Sequence, residues 1–198
     1  MEMDAQEKLL AAGTRLFAQK GFAAVSIREL SQAAETNSSL ISYYFGGKEG
    51  LYAAVLEKQF ASVDSVIASV RERHLSPVER IEAYAQGVLT AHTQNPYIIR
   101  FLYSEFANPT PAFEAIQKEV RKIYEFLHQT INEGITRGQF RADLNPAHAV
   151  LAIAGMMNFY FISRPLRRYF LPAEGEHDAQ YFEDALKIYL NGVTKHGD

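Results

Sequence analysis

Three observations predict an all-α chain. Apolar residues recur at steps of three and four through most of the sequence. Helix-start signals of the Ser-x-x-Glu and Asn-Pro kind separate these runs. No stretch alternates apolar and polar residues for long enough to make a strand. The expected architecture is an N-terminal three-helix helix-turn-helix domain followed by a C-terminal helical bundle, about nine helices in all.

Leu9, Leu10, Leu16 and Phe17 predict a first helix from about Asp4 to Lys20, closed by Gly21 in a left-handed cap. Ser26-Ile27-Arg28-Glu29 is a capping box that opens the second helix, with Ile27, Leu30, Ala33 and Ala34 on one face. Asn37 is placed to cap a third, short helix over about Ser38 to Tyr44. Leu40, Ile41 and Phe45 are its expected inner face. Gly46-Gly47 breaks the chain, and Lys48-Glu49 starts a fourth helix expected to run to about Arg73.

The remaining helices follow the same logic. Ser76-Pro77-Val78-Glu79 starts a helix that runs to about Thr93. Another spans about Tyr97 to Ala107, between Asn95-Pro96 and Asn108-Pro109. Thr110-Pro111 opens a long helix carrying Ile116, Val120, Ile123, Leu127 and Ile131, with Gly138 just past its end. Asn145-Pro146 opens the next, and Asp178 to Thr194 forms the last. Arg164-Pro165-Leu166-Arg167-Arg168 is a basic cluster in a connection, best read as a solvated loop.

Composition bounds the function. Hydrophobic residues make up 47% of the 198, enough for a sizeable core. With 0 Cys, disulfides and thiolate metal sites are excluded, which suits a reducing cytoplasm. No apolar run approaches a membrane span, and the acidic, polar start is unlike a signal peptide. The six His have no metal-ligand spacing, and no phosphate-binding glycine loop or nucleophile elbow is present. The expectation is therefore no enzyme, no metal and no cofactor. Net charge is −3, and residues 1–58 carry six cations against seven carboxylates. Any DNA affinity must come from a few placed cations, amides and hydroxyls.

With the second helix, turn, third helix and the GGKEGLY junction in place, the first quarter resembles the TetR family of bacterial transcriptional regulators. The resemblance rests on Leu16-Phe17, Gly21, Ser26-Ile27, Ala33-Ala34, Tyr43, Phe45, Lys48-Glu49 and Leu51-Tyr52. It covers roughly residues 5–55. Glu35 stands where the family commonly has a turn glycine, Ser39 at a small or glycine position, Ser42 where an aromatic is common, and Tyr44 where His is common.

The resemblance implies a DNA-binding domain over residues 1–50 and a ligand-binding and dimerisation domain over 51–198. It implies a homodimer on a near-palindromic operator in double-stranded DNA, an unknown small-molecule effector and, for most of the family, repression. In helix-turn-helix proteins the second helix of the motif enters the major groove. Thr36, Asn37, Ser38, Ser39, Ser42, Tyr43 and Tyr44 are the expected DNA contacts, with Arg28 as the nearby long cation. Lys48, at a helix start that already favours anions, is the expected phosphate anchor.

An aromatic-rich middle suggests a lipophilic effector site formed by Phe101, Tyr103, Phe106, Tyr124, Met156, Met157 and Tyr160. The last two helices suggest a dimer face of Val150, Ala154, Met157, Phe161, Phe182, Leu186 and Tyr189. The near-neutral head leaves a second reading, a helical protein-interaction module whose helix-turn-helix no longer binds DNA.

Overall fold

The computed structural model describes residues 4–61, 63–167, 169–171 and 177–195. Among these, eleven helices form and no strand does; the chain is all-α, as expected. They gather into two compact units that are discontinuous along the sequence. One holds the described residues of Met1–Ser62 with Tyr97–Glu119, the other those of Val63–Pro96 with Val120–Asp198. The division expected at residue 50 concerned roles; compactness groups the helices differently.

The first unit is built on α1 (Ala5–Lys20), α2 (Ile27–Ala33), α3 (Ser39–Phe45), α4 (Lys48–Phe60) and α7 (Ile98–Ala107). Asp4 caps α1 by accepting the Glu7 N–H at 2.8 Å, and Gly21 ends it at φ 80°. α4 lies at the centre and packs on α1, α3 and α7. Its Leu51, Tyr52, Val55 and Leu56 are fully buried with Leu9, Leu30, Ile41 and Phe101. Gly13 lets α4 come close, since a Cβ there would already touch Val55 at 3.3 Å.

The second unit contains α5 (Val63–Glu72), α6 (Pro77–Gln94), α9 (Pro146–Ile162), α10 (Arg164–Arg167), α11 (His177–Val193) and most of α8 (Phe113–Thr136). Ser76 and Glu79 form a reciprocal capping box at 3.3 and 2.7 Å. Asn145 caps α9 through the Ala147 and His148 amides. α11 packs on both α6 and α9. Two of its tyrosines donate to α9 carbonyls, Tyr181 to Met156 at 2.9 Å and Tyr189 to Ala149 at 3.0 Å. The chain after α8 doubles back at Gly138, φ 68°, and Phe140 enters the core. Arg141 N–H then bonds to Val193 O, and Lys195 N–H to Gln139 O, tying the end of α11 to this turn.

Two sequence expectations are corrected. The fourth helix does not run on to Arg73: α4 ends at Phe60 and α5 begins at Val63. The pieces serve different cores, Phe60 in the first unit and Ile67 and Val70 in the second. Periodicity alone joined them because the apolar steps continue across the break. The connection after α9 also contains the turn α10, held by Leu166 and Arg167 amides on Ser163 O. Arg167 is not a solvated loop residue: it lies over the Tyr160 ring at 3.6 Å and pairs with Asp178 at 3.2 Å. Arg168 of that cluster lies outside the described residues.

His92 is buried beside Phe161, ring centroids 4.4 Å apart. Asn158 Nδ2 donates to Ala154 O, so Asn158 Oδ1 is the acceptor and His92 Nε2–H the donor across 3.0 Å. Nδ1 is buried without a partner. Burial holds the imidazole below its ordinary 6.5, with the Asn158 bond opposing. The unfolded chain therefore takes up the proton first. Stability from neutral His92 is present above pH 6.5 and is lost as pH falls below it. Urea midpoints measured between pH 7.5 and 5.5 should fall for the wild type, and fall less for His92→Gln. Gly134 tests the packing of Phe140, because a Cβ there would sit 2.2 Å from the ring. Gly134→Ala should destabilise by about 1–3 kcal/mol in urea unfolding, whereas Gly192→Ala, which meets open space, should not.

Candidate nucleic-acid interface

The head is assembled from short caps and one long-range cation. Ser26 Oγ accepts the Glu29 N–H at 3.1 Å and starts α2. The Glu29 carboxylate is hydrogen-bonded and ion-paired to Lys20, which holds it below its ordinary range. The turn between α2 and α3 passes through Glu35 at φ 53°, a left-handed conformation that suits glycine. Asn37 caps α3 from one residue before its N-cap Ser38, accepting from both Ser39 N–H and Ser39 Oγ–H at 2.9 Å.

α3 then divides cleanly. Ile41 is fully buried and Leu40 half-buried, while Ser38, Ser39, Ser42, Tyr43 and Tyr44 are exposed. Tyr43 is 78% exposed, and its ring meets Tyr44 edge-on at 5.0 Å. So large an exposed aromatic on a two-turn helix buries little in the free chain; much of its ring surface is available to a partner. Arg28 and Asn37 are exposed on the same helix-turn-helix.

The α3–α4 junction is tight. Gly46 and Gly47 take φ 73° and 134°, and a Cβ on Gly50 would lie 1.7 Å from the Phe45 carbonyl oxygen. The first turn of α4 thus rests against the last turn of α3. Lys48 reaches from that turn to the connection before α2. Its Nζ donates to Phe22 O at 2.9 Å and Val25 O at 2.8 Å, and stands 4.3 Å over the Phe22 ring. Phe22 and Phe17 each pack on Tyr52 at 4.9 Å.

Two expected DNA contacts are corrected by this geometry. Lys48 is not a free phosphate anchor: two of its three donors hold backbone carbonyls, a duty the sequence offered no means of seeing across 23 and 26 residues. The Thr36 hydroxyl is buried in the turn without a partner and does not face outward.

The seven expected effector residues are divided between the two units. Phe101, Tyr103 and Phe106 belong to the first unit; Tyr124, Met156, Met157 and Tyr160 belong to the second. Phe101 is core beside Tyr52, and Met157 and Tyr160 are core as well. Within the second unit a cavity of about 300 Å³ is lined by residues including Met156, Leu171, Tyr181 and Ile188.

The expected dimer face is also corrected. Val150, Met157, Phe182 and Tyr189 are buried in their own unit, and Phe161 and Leu186 are packed against that core. Ala154 is half-buried. The large apolar residues left exposed on α9 and α11 are Leu151, Phe159 and Ile188, each at least 60% accessible. Glu105, on α7, is fully buried and accepts a hydrogen bond from the Tyr52 hydroxyl.

Comparison with known proteins agrees with this geometry. Residues 9–55 match the family model described as bacterial regulatory proteins, tetR family. Residues 74–161 match that of a tetracyclin repressor-like C-terminal domain. The HTH-type transcriptional repressor NicS of Pseudomonas putida (strain KT2440) is 27% identical, over 96% of this chain and 92% of that protein. The ketosteroid transcriptional regulator KstR2 of Mycobacterium tuberculosis superposes with a TM-score of 0.79, at 20% identity, over 99% of this chain and 98% of that one. The regulator AibR, solved with isovaleryl coenzyme A and operator DNA, gives 0.76 at 18% identity, over 93% of this chain and 97% of that one.

The different attachments of the two cations near the reading head separate their effects. Lys48→Ala should lower the melting temperature, because it releases the Phe22 and Val25 carbonyls. Arg28→Ala should leave melting unchanged and reduce the salt slope of DNA binding by about 1 per head. Thermal unfolding and binding titrations at several salt concentrations read the two effects independently.

Proposed function

The chain belongs to the TetR family of bacterial regulatory proteins, and on that premise we propose that it is a ligand-responsive repressor, binding a near-palindromic operator as a homodimer and released by a small molecule. It is a DNA-binding transcriptional regulator and not an enzyme. The observation that carries the reading is the outer face of α3: a helix capped and buried on one side, with Ser38, Ser39, Ser42, Tyr43 and Tyr44 presented on the other.

In this reading residues 1–50 bind DNA and residues 51–198 carry effector binding and dimerisation. The serine hydroxyls meet base edges or phosphates, donating or accepting as the site requires. The tyrosines, Asn37 and Arg28 serve chiefly to position the helix on the backbone. The low charge of the head makes these placed groups, not a basic surface, the source of affinity.

Leu151, Phe159 and Ile188 replace the buried residues as the proposed dimer face, because they are the large apolar side chains that α9 and α11 leave uncovered. Two copies joined there would present two recognition helices to half-sites about 34 Å apart or a multiple of that. AibR, by the description of its structure, binds an acyl coenzyme A and operator DNA. For this chain a lipophilic effector is proposed on the strength of its aromatic residues, and it must prefer one arrangement of the heads to shift the equilibrium. No described helix is long and apolar enough to cross a membrane, and the proposed site of action is DNA in the cytoplasm.

Selection of random duplexes by the purified chain tests the reading. Two half-sites in inverted repeat should emerge, bound in a salt-dependent manner and weakened by Tyr43→Ala. Recovery of no sequence would overturn the regulator and leave the helical protein-interaction module. Recovery of a single half-site would overturn the dimeric operator alone.

A further inference from the structure

Glu105 lies on α7 and is fully buried. Three neutral donors converge on its carboxylate. The Tyr52 hydroxyl reaches Oε1 at 2.7 Å, and the Thr110 amide and hydroxyl reach Oε2 at 3.0 and 3.1 Å. Thr110 Oγ1 in turn accepts the Ala112 N–H at 3.2 Å, just before α8. Among the described residues these donors are neutral, and a buried carboxylate so held is costly to maintain for stability alone, since an apolar residue of the same size fills such a space more cheaply. What it fixes is geometry: one carboxylate joins α4, α7 and the turn leading to α8.

Tyr52 carries that geometry to the head. Burial first, and Glu105 second, keep its phenol protonated far above the ordinary range, so its hydroxyl is a standing donor. Its ring packs on Phe17 of α1 and on Phe22, and Phe22 is the ring beneath the Lys48 ammonium. The same ammonium holds the carbonyls just ahead of the α2 cap. Every contact in this series lies within the first unit.

We propose that Glu105 is a positioning residue for operator binding, acting through the Tyr52 hydroxyl to hold α4 and the helix-turn-helix in one arrangement relative to the turn between α7 and α8. The proposal rests on the head being a DNA reader, and it adds a part that makes no contact with DNA. A displacement of the Thr110 turn would reach α4 through Glu105 and Tyr52, and the start of α2 through Phe22 and Lys48 in addition. Physical contiguity supplies the route, and measured coupling is the proof it needs.

The test uses full-length Glu105→Gln, Tyr52→Phe and the double variant. Gln keeps the shape of Glu105 but turns one acceptor into a donor. Phe keeps the ring of Tyr52 and removes the hydroxyl. Melting temperatures establish that each variant is folded at the temperature of the binding assay. Each single change should weaken binding to the selected duplex by about tenfold, and the double variant should be no weaker than either single. Amide exchange across Ile27–Ala33 and Ser39–Phe45 should accelerate in both singles, with α9 and α11 unchanged.

A loss of binding that merely followed lower stability would instead raise exchange throughout, in α9 and α11 as well as in the head. Singles that bind within about twofold of wild type, effects that multiply, or unaltered exchange in α2 and α3 would each overturn the proposal. A wild-type chain that selects no duplex would overturn the DNA reading itself. The exchange measurement would then decide alone whether Glu105 positions the head.

Discussion

The Lys48 ammonium sits where three constraints meet. The glycine pair sets where α4 begins, the close approach of Gly50 to the Phe45 carbonyl sets its angle to α3, and Lys48 ties its first turn to the chain before α2. Neither carbonyl belongs to a helix or a sheet; Phe22 O accepts the Val25 N–H at a long 3.4 Å, and carbonyls poorly satisfied in a part-buried place are costly. One cation meets both and adds an aromatic contact with Phe22. The helix-turn-helix is thereby closed into a ring of contacts, and the outer face of α3 is held out without support of its own.

The second unit solves a different problem. α9 is apolar on nearly every side, so its register against α11 is weakly specified by hydrophobicity. Directional bonds supply the register: Tyr181 and Tyr189 donate to α9 carbonyls, and Tyr160 donates to Asp178 beneath Arg167. Each polar tip belongs to a large ring that also fills the core, so burial and registry come from the same residue. Phe140 and the bond pair around it close the far end.

Local features were legible in the sequence because they are fixed by neighbours a few residues away. Ser76 and Asn145 act as their spacing predicts, and Ser26 caps α2 through the Glu29 amide, whereas Gly21 ends α1 at φ 80° and ψ 161° and not in the left-handed cap expected. The resemblance of the GGKEGLY junction identified the family before any geometry. Long-range features were not legible. Lys48 reads as a phosphate ligand because a helix start and a cation are visible in sequence, whereas the carbonyls it serves are more than twenty residues away. The break after Phe60 was hidden by an unbroken apolar rhythm that feeds two cores. Val150, Phe182 and Tyr189 have the apolar character of an interface, but character does not tell a helix which of its faces is inward. Nothing in the sequence around Glu105 foretells its burial against Tyr52, 53 residues away.

The contact between Gly50 and the Phe45 carbonyl has a mechanical meaning. Where two helices meet through side chains, rotamer changes can absorb a rotation of one before the other responds. Here the meeting is backbone against backbone, with no room for even a methyl group. The joint has no slack. A rotation of α4 therefore has no side-chain layer in which to be absorbed before it reaches α3 and its exposed Tyr43. A head coupled in this way is a stiff lever, in which the orientation of α3 follows that of α4.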